Sequence, residues 1–299
     1  MTRCKYALFL SIMLLTPGCI KSAAINSLAD ALGDGGGSYA MDDDPEFVGE
    51  ASAFGLKTIE SLLVAKPDHP KLLVAATRGF TQYAYAYLQT EADYLEEDDY
   101  AAAKRLRYRA WRMFRRARDY GLRALENRTG LSSREIPQSA DSLAELDDDD
   151  MAMLYWTAVS IAAVVAVNKD DATAATYLDL VAPLIERALQ IDSRYQNGGL
   201  YDFLISWESG RPAAAGGSLD KADAAYARAV KLADGKRLAP MVAYAESVCV
   251  KRQDRVQFKA LLTSVADFDS DKFLEFRLVN LIAQKRARWL LSQIDDLFL

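Results

Sequence analysis

Three tyrosines at close spacing are the first residues of this sequence that could carry chemistry. Tyr83 and Tyr87 share an apolar helical stripe, whereas Tyr85 points the other way. Rings in this arrangement can form the wall of a cavity or groove that receives an apolar ligand or a partner helix. The alternative is that they are core aromatics whose hydroxyls reach a helix edge.

A second candidate is the basic helix predicted over residues 100–127. Arg105, Arg112 and Arg116 lie on one flank of it. Their guanidinium groups suit an acidic partner surface or a carboxylate ligand. The alternative is that they pair with the acidic segment EADYLEEDD at 91–99 and with solvent, because surface ion pairs are common.

The last predicted helix, RLVNLIAQKRARWLLSQIDDLF at 277–298, carries two amides at the edge of an apolar arc. Asn280 and Gln284 either line a channel or groove, or Asn280 ties the helix to a neighbouring turn by side-chain to backbone hydrogen bonds. A second apolar arc contains Leu278 and Trp289. It must be covered by the rest of the chain or by another subunit.

Helices must position all of these residues, since the sequence from Pro45 onward has helical periodicity and almost no alternation. In KADAAYARAVKLA, the spacing of Ala222, Tyr226 and Ala229 is typical of the second helix of a tetratricopeptide unit. We therefore predict an all-α fold of irregular tetratricopeptide-like helical-hairpin repeats, forming a compact solenoid over residues 45–299. The expected helices lie near 45–65, from Pro70, and at 100–127, 151–168, 173–192, 197–209, 218–233, 237–252, 254–266 and the C-terminal end.

The N-terminal segment predicts export. MTRCKYALFLSIMLLTPGC has a basic start and a short apolar run, so residues 1–18 are expected to be a signal peptide. Gly18 before Cys19 resembles a lipobox, in which Cys19 is lipidated and becomes the mature N-terminus; the alternative is a secretory cleavage near Ala23. Residues 19–44, with DGGGS and DDDP, are expected to be a flexible tether.

Composition excludes several kinds of site. A net charge of −6 is a poor match for nucleic acid, or for a membrane surface other than through the lipid anchor. A single histidine excludes a multi-histidine metal site, and we expect no metal and no cofactor. The run ELDDDD at 145–150 resembles a calcium loop without its glycine and spacing, and is better explained as the acidic start of a helix.

Several segments resemble the T-component, or TatT-like, lipoproteins of tripartite ATP-independent periplasmic (TRAP) transporters. The segments are AATRGFTQYAYAYLQTEAD at 75–93, RARDYGLRALENR at 116–128, LYWTAVS at 154–160, GGSLDKADAAYARAVKL at 216–232 and the closing helix. The resemblance implies an exported, often lipidated helical protein that is no enzyme and partners a periplasmic solute-binding protein. It also suggests a homo-oligomer, with a trimer as the family's form.

The function predicted from this resemblance is that of a periplasmic accessory protein, tethered to the outer membrane, which docks the solute-binding protein and holds an apolar small molecule. The alternatives are a general tetratricopeptide-type envelope scaffold and a helical-solenoid enzyme such as a cell-wall glycosidase, for which no carboxylate pair stands in a recognisable cleft motif. The residues predicted to bind ligand or partner are Tyr83, Tyr85, Tyr87, Arg105, Arg112, Arg116, Trp156, Asn280 and Gln284.

Overall fold

The regular structure of the protein is entirely helical over the residues that the computed structural model describes, 37–138 and 141–298. The all-α prediction is therefore confirmed for this part of the chain. The predicted signal peptide, Cys19 and most of the tether lie outside it. The helices without a π-turn are α1 Pro45–Ala65, α3 Tyr100–Thr129, α4 Met151–Val167, α5 Val181–Ile191, α6 Tyr195–Gly210, α7 Leu219–Ala233, α9 Arg255–Ala266 and α10 Arg277–Ser292. The first turn of α6 is kinked, because residues 196–198 have left-handed backbone angles.

Two further helices each contain a π-turn, in which the backbone takes one residue more than an α-helical turn. Helix α2 runs through Pro70–Ala84, the π-turn Tyr85–Gln89 and Thr90–Tyr94. Helix α8 runs through Ala239–Tyr244, the π-turn Ala245–Cys249 and Val250–Arg252.

Acidic residues begin the helices as the sequence predicts. Asp44 accepts hydrogen bonds from the backbone N–H groups of Glu46 and Phe47, with Pro45 at the first helical position. Ahead of α4, Asp147 and Asp150 form a capping box. The acidic run at 145–150 thus starts a helix, and among the described residues no three His, Cys, Asp or Glu side chains are grouped to hold a metal ion.

The single helix expected over 173–192 is wrong. The chain instead forms a short helix at Ala172–Ala175, a 3-10 turn at Leu178–Leu180 and then α5. Pro183 is the third residue of α5, where its missing N–H needs no partner, whereas inside a longer helix it would remove a hydrogen bond. The break therefore falls just before this proline.

Helix α4 is the centre of the larger of two main apolar clusters and contacts α2, α3 and α5. Its residues Leu154, Ile161 and Val164 are fully buried. By length and composition Asp148–Val167 could cross a membrane, yet 61% of its apolar window is buried inside the protein. Burial within the protein explains its apolar character.

A second apolar cluster is formed by residues of the five helices from α6 to α10. Helix α10 packs in this cluster with one of its sides. Ala283, Ala287 and Leu290 of α10 are buried in this cluster. The other side of α10 contacts α1 and the short helix Gly37–Ala40, close to the start of the described chain. The second apolar arc of the last helix is thus covered in part by the chain itself.

Consecutive helices pack against each other in several pairs, among them α2 with α3, α6 with α7, and α9 with α10. The small residues Ala222 and Ala229 of α7 are fully buried, as close helix approach requires. A regular tetratricopeptide-like repeat stays a prediction.

Candidate functional site

The three tyrosines of α2 do not form one wall. The rings of Tyr83 and Tyr87 lie 5.7 Å apart and half-buried, with Tyr87 against α1. A Cβ atom on Gly49 would come within 2.8 Å of the Tyr87 ring, so the two helices touch closely here. Desolvation, followed by the charge of Asp42, raises the pKa of Tyr87 to about 12. These two rings therefore belong to the α1–α2 contact.

Tyr85 points away from this contact and toward the last helix. The residue is 45% exposed, yet its hydroxyl is surrounded by Glu246, Arg286 and Tyr94. Loss of water around the hydroxyl, and then the negative charge of Glu246, raise its pKa. Tyr85 thus stays protonated and can donate a hydrogen bond on this side of α2.

The arginines of α3 separate into paired and unpaired groups. Arg107 lies 2.6 Å from Glu96 and 3.3 Å from Asp93, so pairing with the acidic segment occurs at this residue. Arg116 lies 3.5 Å from Glu60 of α1. Arg105 and Arg112 are exposed, and neither makes an ion pair within the described parts of the chain.

Trp156 lies in the core. It is 7% exposed, and its ring meets that of Tyr155 edge-on at 4.8 Å. The Tyr155 hydroxyl donates to the carbonyl of Gly199 at 3.2 Å, which links α4 to α6. A ligand-binding role for Trp156 stays a prediction.

Asn280 is fully buried and holds the turn that precedes α8. Its Nδ2 donates to the carbonyl of Lys236 at 2.8 Å, and its Oδ1 accepts from the N–H of Leu238 at 3.1 Å. Gln284, one turn later, accepts from Ser270 and donates to backbone carbonyls that include that of Phe268, at 2.7 Å. These are the side-chain to backbone ties that the structural alternative describes, and a role in lining a groove stays a prediction.

A cleft of about 650 Å³ opens where α2, α8 and α10 end and α3 begins. Its apolar lining comes from aromatic and aliphatic side chains, its rim is strongly acidic, and two arginines reach into it. The lining residues include Tyr94, Val250, Trp289, Leu290 and Leu297, the carboxylates of Asp93, Glu96, Glu97, Asp98, Glu246 and Asp296, and Arg107 and Arg286.

Arg286 is the central residue of this cleft. It is 7% exposed and forms ion pairs with Asp93, at 3.0 Å, and with Glu246. Its Cζ lies 4.4 Å from the centre of the Trp289 ring and 5.8 Å from that of Tyr94. Burial alone would lower the pKa of Arg286, but the charges of Glu246 and Asp93 outweigh it and raise the pKa.

Both π-turns of the protein's described part contribute to this arrangement. Glu246 belongs to the π-turn of α8, and Tyr85, next to Arg286, begins the π-turn of α2. π-turns are rare and are often found at functional sites. Sequence reasoning missed Arg286, Glu246 and Tyr94 as site residues, although Trp289 in the second apolar arc marked the helix face on which they meet.

The arrangement is suited to binding. Asp93 and Glu246 are engaged through Arg286 in holding α10 against α2 and α8, and the apolar floor formed by Val250, Leu290 and Leu297 offers contact area. His69, the single histidine of the sequence, immediately precedes α2, whereas the cleft lies at the opposite end of that helix.

Two comparisons with known proteins bear on the function. A sequence model of the TRAP transporter T-component family matches residues 41–298. A protein of Treponema pallidum (strain Nichols), described as an uncharacterized protein, is 26% identical over 266 residues, which cover 87% of this chain and 82% of that protein.

Proposed function

Because this chain belongs to the TRAP transporter T-component family, we propose that it is an exported accessory protein that docks the transporter's periplasmic solute-binding protein. The observation that carries the proposal is the family match, which spans the helical part of the chain from residue 41 to residue 298. The family is a transporter component of the cell envelope and not an enzyme family.

Docking is proposed to use the outer surface of stacked helical hairpins of tetratricopeptide-like type. Such stacks present long side-chain surfaces without a reacting centre, and they recognise partners through shape and charge. Exposed Tyr108 and Phe54, on α3 and α1, supply aromatic groups of the kind that dominate interface energies.

The proposed anchor is a lipid on Cys19, with residues 19–44 as a tether to the outer membrane. A flexible coil of that length reaches about 25–30 Å on average, which would hold the helical part off the lipid surface. A homo-oligomer, with a trimer as the form to test first, is part of the same proposal. The exposed apolar residues Val279, in the first turn of α10, and Leu274, in the turn just before it, are available for a subunit contact.

An apolar small molecule is proposed to occupy the cleft beside Arg286. Its volume of about 650 Å³ lies within the range of known ligand pockets, roughly 300–1,000 Å³. Trp289, Tyr94 and Leu290 would contact the apolar body, while the acidic rim would favour a positively charged group on the same molecule.

The decisive experiment measures binding of the mature chain to the solute-binding protein encoded beside the same transporter. We expect a complex with micromolar or tighter affinity by isothermal titration calorimetry. A solute-binding protein from an unrelated transporter serves as the control. Absence of binding, together with recovery of outer-membrane assembly factors in affinity capture from the periplasm, would replace the transporter function with that of a general envelope scaffold.

A further inference from the structure

Helix α3 carries an exposed basic face, formed by Lys104, Arg105, Tyr108, Arg109 and Arg112. All five residues are exposed, and Tyr108 has 58% of its surface open to solvent. None of the four cations makes an ion pair within the described residues. At 100° per residue the five positions span an arc of about 140° on the first half of the helix.

The two edges of this basic face are held by the fold, which leaves its middle open. On one edge Arg116 pairs with Glu60 of α1. On the other edge the Trp111 indole N–H donates to Asp171 at 3.2 Å, and the Trp111 ring lies 5.5 Å from that of Tyr108. The face is therefore a fixed surface on a helix whose other side is buried against α2 and α4.

This placement of charge is unfavourable for the isolated chain. Arg105 and Arg109 are four residues apart, and Arg109 and Arg112 three, so like charges are neighbours on the helix surface. Arg107, on the same stretch, shows the alternative, because it is neutralised by Glu96 and Asp93.

We propose that the basic face of α3 docks an acidic surface of the solute-binding protein. This inference rests on the proposed function and names the surface that performs it. The whole chain carries a net charge of −6 even with these four cations, so an acidic partner would be repelled elsewhere and steered to this face. Arginine, tyrosine and tryptophan are also the residue types that contribute most binding energy at protein interfaces.

The test compares two double variants with the same change of charge. In Arg105→Glu/Arg112→Glu the basic face is reversed. In the control, Arg228→Glu/Lys231→Glu, two exposed cations of α7 that make no ion pair with the described part of the chain are reversed instead. Binding of each full mature chain to the solute-binding protein is measured by calorimetry at 50, 150 and 300 mM NaCl.

We expect the α3 variant to bind at least thirtyfold more weakly at 50 mM NaCl, and the α7 control to bind within threefold of the original chain. The affinity of the original chain should fall with salt, because charge pairs are screened, and that of the α3 variant should change little. The single variant Tyr108→Ala should lose about tenfold in affinity and keep the salt dependence. The α3 variant should melt no lower than the original chain, since like-charge neighbours are removed.

Each contrary result has its own meaning. If the original chain does not bind the solute-binding protein at any salt concentration, the proposed function and this inference both fail. If it binds, and the α3 variant binds equally well, only the inference fails. A changed molecular mass of the α3 variant alone would assign the face to a subunit contact. If the α3 variant binds the solute-binding protein normally but no longer binds phosphatidylglycerol vesicles, the face would be assigned to a membrane contact. Both of these outcomes overturn the inference.

Discussion

At the scale of single residues, the buried side-chain amide of Asn280 stabilises the turn that precedes α8. Replacing it in Asn280→Leu would leave the N–H of Leu238 and the carbonyl of Lys236 buried without partners. Each such group costs about 1–3 kcal/mol, so we expect the free energy of unfolding to fall by about 2–4 kcal/mol. Urea denaturation measures this loss, and solute-binding protein affinity measured on the folded variant should be unchanged.

The neighbouring substitution Val279→Leu is the control for Asn280, because Val279 is 42% exposed and should tolerate the change within about 0.5 kcal/mol. An Asn280→Leu variant of normal stability but weakened partner binding would instead favour the groove-lining role.

Asp202 gives the protein a pH-dependent stability. Burial raises the pKa of Asp202 to about 6, and its ion pair with Arg237 opposes the rise. Arg237 also donates to the carbonyl of Asn197, in the left-handed run at the start of α6, where Asn197 has φ 52° and Gly198 φ 99°. The ion pair between Asp202 and Arg237 therefore lies beside strained backbone, and Arg237 stabilises that backbone through its hydrogen bond.

The sign of this pH effect follows from linkage. Between about pH 4 and 6 the folded chain holds a proton on Asp202 that the unfolded chain has lost. The contribution of Asp202 to the free energy of unfolding is therefore present at about pH 4, falls as pH rises to 6, and is flat above about 7. Relative to Asp202→Asn, which does not titrate, the original chain should lose about 2 kcal/mol across this window in urea denaturation. Parallel pH profiles for the two chains would contradict the raised pKa.

At the scale of helices, the two π-turns explain why the cleft could not be predicted from the sequence. A helical wheel drawn through α2 assigns 100° to each residue, and one extra residue in the π-turn rotates everything after it by about that angle. Asp93 and Tyr94 follow the turn, so the wheel places them on the wrong face. No residue pattern at Tyr85–Gln89 predicts the turn, which packs against α3 in the folded chain.

Helix bounds were predictable where local chemistry sets them. Asp44 and Pro45 cap α1 through short-range hydrogen bonds, and its predicted range of 45–65 agrees with the structure. The exposed state of Arg105 and Arg112 was left open by the sequence, because it depends on where the carboxylates of other helices lie. Distances between charged groups on different helices are set by the tertiary structure and cannot be read from the sequence.

Arg286 controls how firmly α10 is held. In Arg286→Met the carboxylate of Glu246 would lose its cation, and Asp93 would keep only its ion pair with Arg107. Removing one partner from a buried ion pair costs about 3–5 kcal/mol, and the partial exposure of the two carboxylates reduces this to about 2–3 kcal/mol. We expect the amides of Arg277–Ser292 to exchange hydrogen about 30- to 100-fold faster.

The matched variant for Arg286→Met also removes the stranded charges, as Asp93→Asn/Arg286→Met/Glu246→Gln. It should recover at least half of the lost stability, because no uncompensated carboxylate remains. Equal destabilisation of both variants would mean that the stacking of Arg286 on Trp289, and not its charge, holds the helix.

For the whole molecule, α10 decides whether the two main apolar clusters behave as one unit. The clusters share α6, and α10 adds a second link by joining α8 and α9 to α2 through Arg286, Lys285 and the Tyr94–Trp289 contact at 5.4 Å. An open stack of hairpins contacts only its neighbours, so its ends can unfold separately. A stack closed by its last helix has its two ends tied together.

We therefore expect the protein to unfold in one transition, and a variant without the closing contacts to unfold in two. In Lys285→Ala/Arg286→Met/Trp289→Ala the clusters would stay connected through α6 and through the contact of α10 with α1, and the part from α7 to α10 should unfold first because its cluster is smaller. Hydrogen exchange at rising urea concentration, followed separately for α4 and α9, measures this order.

The double variant Val256→Ala/Lys259→Ala, on the exposed side of α9, should keep the single transition. A closing-contact variant that still unfolds in one step, only at lower urea, would show that α6 and the α10–α1 contact suffice to couple the two clusters. The contacts around Arg286 would then serve the cleft and not the cooperativity of the fold.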